Sequence, residues 1–81
     1  MSLHEIVARV LSVPADQLTD ESDPTTIGSW NSLRHIELIV HIETAYGLKF
    51  SRSEMVGLRS VGQIRAMLLK KGVQESELYP T

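Results

Sequence analysis

Cysteine is absent from this chain of 81 residues. Its absence excludes a disulfide framework, a thiolate metal site and a cysteine nucleophile, so any thiol chemistry has to arrive on a cofactor. Aromatic residues are scarce, with one tryptophan, one phenylalanine and two tyrosines. Basic residues are in the minority: eight lysines and arginines against ten aspartates and glutamates leave a formal net charge of −2. Nucleic-acid binding needs a basic stripe, and none is present. The adjacent pair Lys70-Lys71 reads instead as favourable charge at a helix C-terminus. No apolar run approaches a membrane span. The start Met1-Ser2-Leu3-His4-Glu5 lacks the basic and long apolar regions of a signal peptide. The expectation is a cytoplasmic monomer with no membrane and no nucleic-acid partner. One domain suits this length, and so short a chain buries only about 60% of the surface its unfolded form exposes. Its local helix signals must therefore be good.

Those signals are present. Leu3, Ile6, Val7, Val10 and Leu11 recur at helical spacing, Ser2 and Glu5 form a capping-box pattern, and Pro14 ends a first helix that runs to about Val13. From Pro14 to Ser29 the turn formers Asp16, Thr19, Asp20, Ser22, Asp23, Pro24, Thr25 and Gly28 predict a long loop, which Leu18, Ile27 and Trp30 anchor to the core. A second helix spans Ser32 to Tyr46 and stops at Gly47. Around its wheel, Arg34, Glu37, His41 and Thr44 form a narrow polar stripe, while apolar residues spread over most of the rest. A helix apolar over so wide an arc is surrounded by neighbours or lines a pocket. Leu48-Lys49-Phe50 is an extended connector. Ser51 and Glu54 open a short helix through about Leu58; Ser60 and Gln63 open a last one from Val61 to Lys71, with Gly72 as its stop. Ile39, Ile42, Phe50, Met55, Ile64 and Leu68 are expected in the core. The fold class is all-α: a small four-helix bundle of three longer helices and one short one, with a long loop between helices one and two. Residues 1–73 form the domain, and 74–81 a polar, frayed C-terminal tail.

The most informative stretch is Gly28-Ser29-Trp30-Asn31-Ser32-Leu33-Arg34-His35-Ile36-Glu37-Leu38-Ile39. It sets Ser32 at the mouth of the second helix. No general base follows at a usable spacing; His35, on the next turn, has neither an oxyanion hole nor an enclosed pocket to work with. The combination suits a serine that is modified and not one that attacks. A helix N-terminus exposes and fixes a hydroxyl, and its free N–H groups favour a phosphate there by roughly 0.3–1 kcal/mol. Serine is also a common helix cap; Asn31 is able to take that duty and leave Ser32 free. His4, His35 and His41 do not converge on a metal, and Asp20, Ser22 and Asp23 lack the glycine and closing glutamate of a calcium loop.

The run from Asn31 to Tyr46 resembles the attachment helix of acyl carrier proteins, whose pattern is Asp-Ser-Leu followed by an apolar residue, Glu and Leu. The wider order is similar too: the Pro14-Ala15-Asp16-Gln17-Leu18 turn, the long loop, the Gly47-Leu48-Lys49-Phe50 connector, and Ser60-Val61-Gly62-Gln63-Ile64 opening the last helix. The resemblance implies that Ser32 carries covalent 4′-phosphopantetheine, installed from coenzyme A by a Mg²⁺-dependent phosphopantetheinyl transferase. The arm's thiol would hold acyl or related carboxylate groups as thioesters for a dedicated pathway of fatty-acid or polyketide type. It implies a carrier and not an enzyme. Its partners would be that transferase, an acyl or aminoacyl ligase, and acyltransferases or synthases, met through Leu33, Arg34, Glu37, Val40, His41 and Thr44. Taken singly, Leu33 and Val40 would go to the core.

Two departures stand out. Asn31 replaces the family's usual aspartate, preserving the cap but not the charge. Arg34, His35 and His41 replace the strong acidity of bulk fatty-acid carriers along this helix, which points to a dedicated partner set. A peptidyl or D-alanyl carrier, or an unmodified helical adaptor, are the competing readings.

Overall fold

The computed structural model describes residues 1–80, and within them all regular structure is helical, without strands. α1 covers Leu3–Leu11, α2 Ser32–Tyr46, α3 Arg52–Gly57, α4 Val61–Lys70 and α5 Glu75–Leu78, with a 3-10 turn at Ala15–Gln17 between α1 and α2. None of these helices is long and apolar enough to cross a membrane.

The start signals act as expected. Ser2 and Ser51 each close a capping box with the glutamate three residues on, and Ser60 caps α4 through Gln63 N. α2 has the anticipated limits, from its Asn31 cap to Gly47 in the left-handed region at φ 66°. α1 stops sooner than Pro14 alone would require. Ser12 turns left-handed at φ 58°, and Val13 N–H reaches back to Ala8 O at 3.0 Å. This is the wrap that satisfies the last carbonyls of a helix.

The core is built from the apolar face of α1 (Leu3, Ile6, Val7, Val10, Leu11), from Leu38, Ile39 and Ile42 of α2, and from Val61, Ile64 and Leu68 of α4. Phe50 and Met55 are half-buried at its margin. Full burial of one such side chain contributes about 1.5–3 kcal/mol. The wide apolar arc of α2 is only partly used: Leu33, Ile36 and Val40 are 68%, 50% and 51% exposed. Neighbours therefore do not surround α2; Leu33 faces outward, and Ile36 and Val40 line grooves.

The long loop is ordered by hydrogen bonds as well as by its anchors Leu18 and Trp30, both buried. Val61 N–H donates to Ser22 O at 3.1 Å, and Gly62 N–H to Asp20 O at 2.9 Å. The loop thereby satisfies two of the orphan donors at the start of α4. Arg65 from the next turn of α4 grips the Asp20 carboxylate at 2.9 Å. Gly62 suits this approach, because a Cβ there would lie 3.0 Å from Asp20 O and the loop would have to give by a few tenths of an ångström. Further along, Asp23 accepts hydrogen bonds from Thr25 Oγ1, Thr25 N–H and Thr26 N–H. The Thr25 hydroxyl is foremost in holding the Asp23 carboxyl below its usual range.

The expectation of a frayed tail is corrected. Val73 is buried, and Leu78, on α5, is fully so. Glu75 lies 4.0 Å from Arg65, and Tyr79 meets the His4 ring edge-on. The reading missed α5 because its one core-facing residue, Leu78, sits in a polar stretch too short to show a helical period. Thr81, the end of the expected tail, lies outside the described residues.

Two substitutions test these contacts by urea unfolding. Gly62→Ala should lower stability by about 1 kcal/mol net, the displaced loop outweighing the gain of about 1 kcal/mol in helix propensity; a gain in stability would show that the loop yields freely at Asp20. Leu78→Ala should cost about 2–5 kcal/mol, whereas a frayed tail would leave stability unchanged.

Candidate functional site

The mouth of α2 is fixed from two directions. On the α1 side, Ser29 Oγ donates to Leu11 O at 2.6 Å, and Arg34 Nη1 donates to Val10 O at 3.2 Å. These are two of the carbonyls that α1 cannot satisfy internally. On the α3 side, the Trp30 indole N–H donates to His35 Nδ1 at 3.0 Å, and His35 Nε2 pairs with Met55 O at 2.8 Å. Indole is a donor only and a carbonyl an acceptor only, so with these partners Nδ1 accepts and Nε2 donates. The Trp30 and His35 rings also stack, with centroids 6.1 Å apart.

Within this frame Asn31 caps the helix: its side-chain oxygen accepts from Arg34 N–H at 2.9 Å. Ser32 is the first helical residue and is exposed. Its hydroxyl is thus spared the capping role and stands where backbone N–H groups lack intrahelical acceptors. His35 is barred from acting as its base, since both ring nitrogens are engaged. Nucleophilic catalysis by Ser32 through His35 is excluded, while exposure, a rigid base and positive helix polarity suit a serine that bears a phosphodiester. The residues present fit a phosphopantetheine group.

Ser32 opens onto a cleft of about 410 Å³ between α2 and α3, walled by Trp30, Ile36, Met55, Val56 and Leu58. A second groove of about 620 Å³ runs between α1 and α2, bordered by Ile6, Val10, Val40, His41 and Thr44. The anticipated partner-facing residues divide accordingly. Leu33 stands exposed beside Ser32, whereas Val40, His41 and Thr44 border the second groove. Glu37 is exposed, with its carboxylate 4.0 Å from Arg34 Nε. Within α2, His41 Nδ1 pairs with Glu37 O and Thr44 Oγ1 donates to Val40 O. Arg34 is half-buried and committed in part to α1, so its weight is structural as well as electrostatic.

Sequence reasoning missed Ile36 and Val56 as exposed apolar groups, Ser29 as a tie to α1, His35 as a link between loop and α3, and Arg52 and Arg59 at the cleft. Ile36 carried a signal, its i+3 spacing from Leu33. The others depend on how α3 and the loop dock.

Comparison with known proteins agrees with this geometry. The phosphopantetheine attachment site family matches residues 2–68. An acyl carrier protein of Saccharopolyspora erythraea is 28% identical over 67 residues, covering 83% of this chain and 70% of that protein. A meromycolate extension acyl carrier protein of Mycolicibacterium aurum is 31% identical over 68 residues, covering 84% and 70%. A polyketide-8 synthase acyl carrier protein of Streptomyces avermitilis is 29% identical over 69 residues, covering 85% and 79%. With an all-helical fold, an ordered long loop and a serine helix of the matching form, this chain belongs to the acyl carrier protein family, whose members carry thioesters on covalent 4′-phosphopantetheine.

Proposed function

We propose that Ser32 is the attachment point of the 4′-phosphopantetheine arm, and that the chain delivers acyl groups to the enzymes of a dedicated biosynthetic pathway. One observation carries the assignment to Ser32: Asn31 makes the capping bond at 2.9 Å, which leaves an exposed hydroxyl on the first residue of a helix anchored at its mouth. The bound arm supplies the thiol on which thioester chemistry takes place. The chain's own part is to hold one end of that arm still. In loading, the Ser32 Oγ–phosphorus bond forms as the pyrophosphate bridge of coenzyme A breaks. Adenosine 3′,5′-bisphosphate leaves, and the hydroxyl proton passes to a base of the Mg²⁺-dependent phosphopantetheinyl transferase. The N-terminus of α2 favours the resulting phosphodiester by about 0.3–1 kcal/mol.

The chain itself is not a catalyst. Its further partners are an acyl or aminoacyl ligase, acyltransferases and synthases. The relatives named for polyketide synthesis and meromycolate extension support a fatty-acid or polyketide setting. The outward apolar residues Leu33 and Val40, with Arg34, Glu37, His41 and Thr44 beside them, support α2 as the face these enzymes meet. Tethering raises the effective concentration of cargo at each of them. The cytoplasm, where coenzyme A is available, is the proposed compartment.

Intact mass after incubation with coenzyme A, Mg²⁺ and a broad-specificity transferase tests the assignment. The parent should gain one phosphopantetheine and Ser32→Ala none, with helicity unchanged because Asn31 still caps α2. No gain with several transferases would favour the unmodified adaptor, and a gain in Ser32→Ala would move the site elsewhere. In the same assay Asn31→Asp should raise the modification rate by restoring the usual charge. Asn31→Ala should instead lower stability by about 0.5–2 kcal/mol, read by urea unfolding.

A further inference from the structure

The cleft at Ser32 differs in charge from the rest of the molecule. The chain is acidic overall, yet no aspartate or glutamate lines this cleft, and its charged side chains are Arg52 and Arg59. Elsewhere Arg34 meets Glu37, Arg65 meets Asp20 and Glu75, and Lys71 meets Glu54, whereas among the described residues Arg9, Lys49 and Lys70 stand unpaired outside this cleft. Among the described residues Arg52 and Arg59 have no carboxylate within 4.0 Å. They flank α3, Arg52 as its first residue and Arg59 just beyond its C-cap Leu58. His35, also at the cleft, has both its ring nitrogens engaged by Trp30 and Met55. The cleft therefore has apolar walls and two free guanidinium groups, and it begins at the serine proposed to bear the arm.

We propose that this cleft receives a cargo ending in a carboxylate, an ω-carboxyacyl group doubled back on its arm, with Arg52 and Arg59 as its counter-charges. The inference rests on Ser32 as the attachment point. Each part of such a cargo finds a match. Its methylene body lies against Ile36, Met55 and Val56, and its carboxylate takes charge-assisted hydrogen bonds from a planar guanidinium. An apolar acyl group would leave both arginines unused. An aminoacyl group would bring a third positive charge into a site without a carboxylate, so the cleft discriminates by repulsion as well as by attraction. The same feature sets this chain apart from a peptidyl or D-alanyl carrier, whose cargo bears an ammonium group.

Three arms of equal length test the proposal: glutaryl, pentanoyl and 4-aminobutanoyl, with the same methylene spacer ending in carboxylate, methyl and ammonium. They are loaded onto the full chain from coenzyme A analogues that carry an amide in place of the thioester. Mass establishes loading first, and a chain that accepts no arm overturns the Ser32 assignment before any cargo is compared. With loading complete, the glutaryl form should unfold a few degrees above the pentanoyl form and the 4-aminobutanoyl form below it. The Arg52 and Arg59 side-chain N–H resonances should shift in the glutaryl form alone. Substituting Arg52→Gln with Arg59→Gln should abolish the ordering, while Arg52→Lys with Arg59→Lys should retain it. Equal unfolding midpoints for the three loaded forms would overturn the proposal. So would arginine shifts as large with the bare arm as with glutaryl, because the guanidinium groups would then be holding the phosphodiester.

Discussion

Everything at the candidate site depends on the hydrogen bonds that clamp the mouth of α2 to the end of α1. Two carbonyls at the close of α1, on Val10 and Leu11, are taken by Arg34 and Ser29 from either side of Ser32. One helix's unsatisfied acceptors are thus satisfied by another helix's point of departure. The cost of leaving such groups unpaired, about 1–3 kcal/mol each when buried, gives the junction its rigidity. The junction gives Ser32 a rigid base without enclosing its hydroxyl.

The long loop follows the same logic. It contains only a single 3-10 turn of regular structure, yet it is ordered, because its carbonyls at Asp20 and Ser22 serve as the cap of α4. Gly62 admits that approach. The Trp30–His35–Met55 chain then joins the far end of the loop to α3. α3 is only six residues long and could not persist in isolation. It is positioned by Ser51 and Glu54 at its start and by this chain near its end. The cleft beside Ser32 exists because α3 is held there.

Electrostatics add a local distinction to a weakly acidic protein. Most charged side chains are absorbed in short-range pairs or caps: Glu5 and Glu54 in capping boxes, Glu43 on Phe50 N–H, Arg65 on the loop. Net charge therefore says little about the site. What matters is which charges remain unmatched and where they stand, and at the cleft these are two arginines. The outward Leu33, Ile36 and Val40 give α2 an apolar ridge that a partner can cover.

The limits of α2, the caps and the inward face of α1 were legible in the residues, because capping and 3.6-residue periodicity are local properties. The serine motif was legible for the same reason, its neighbours in sequence being its neighbours at the helix mouth. Leu33 and Val40 were ambiguous, since apolar character alone does not distinguish a core face from an exposed one. α5 was hidden, its single buried anchor Leu78 finding its place only once the other helices had formed a pocket for it. By itself the sequence determined the all-helical class, the order of α1 to α4 and the place of Ser32 at the start of α2. Tertiary structure alone decided that Ser29 and Arg34 close α1, that His35 is spent on Trp30 and Met55, and that Arg52 and Arg59 face the serine's cleft. Those outcomes arise from contacts between residues distant in the chain, which no local pattern encodes.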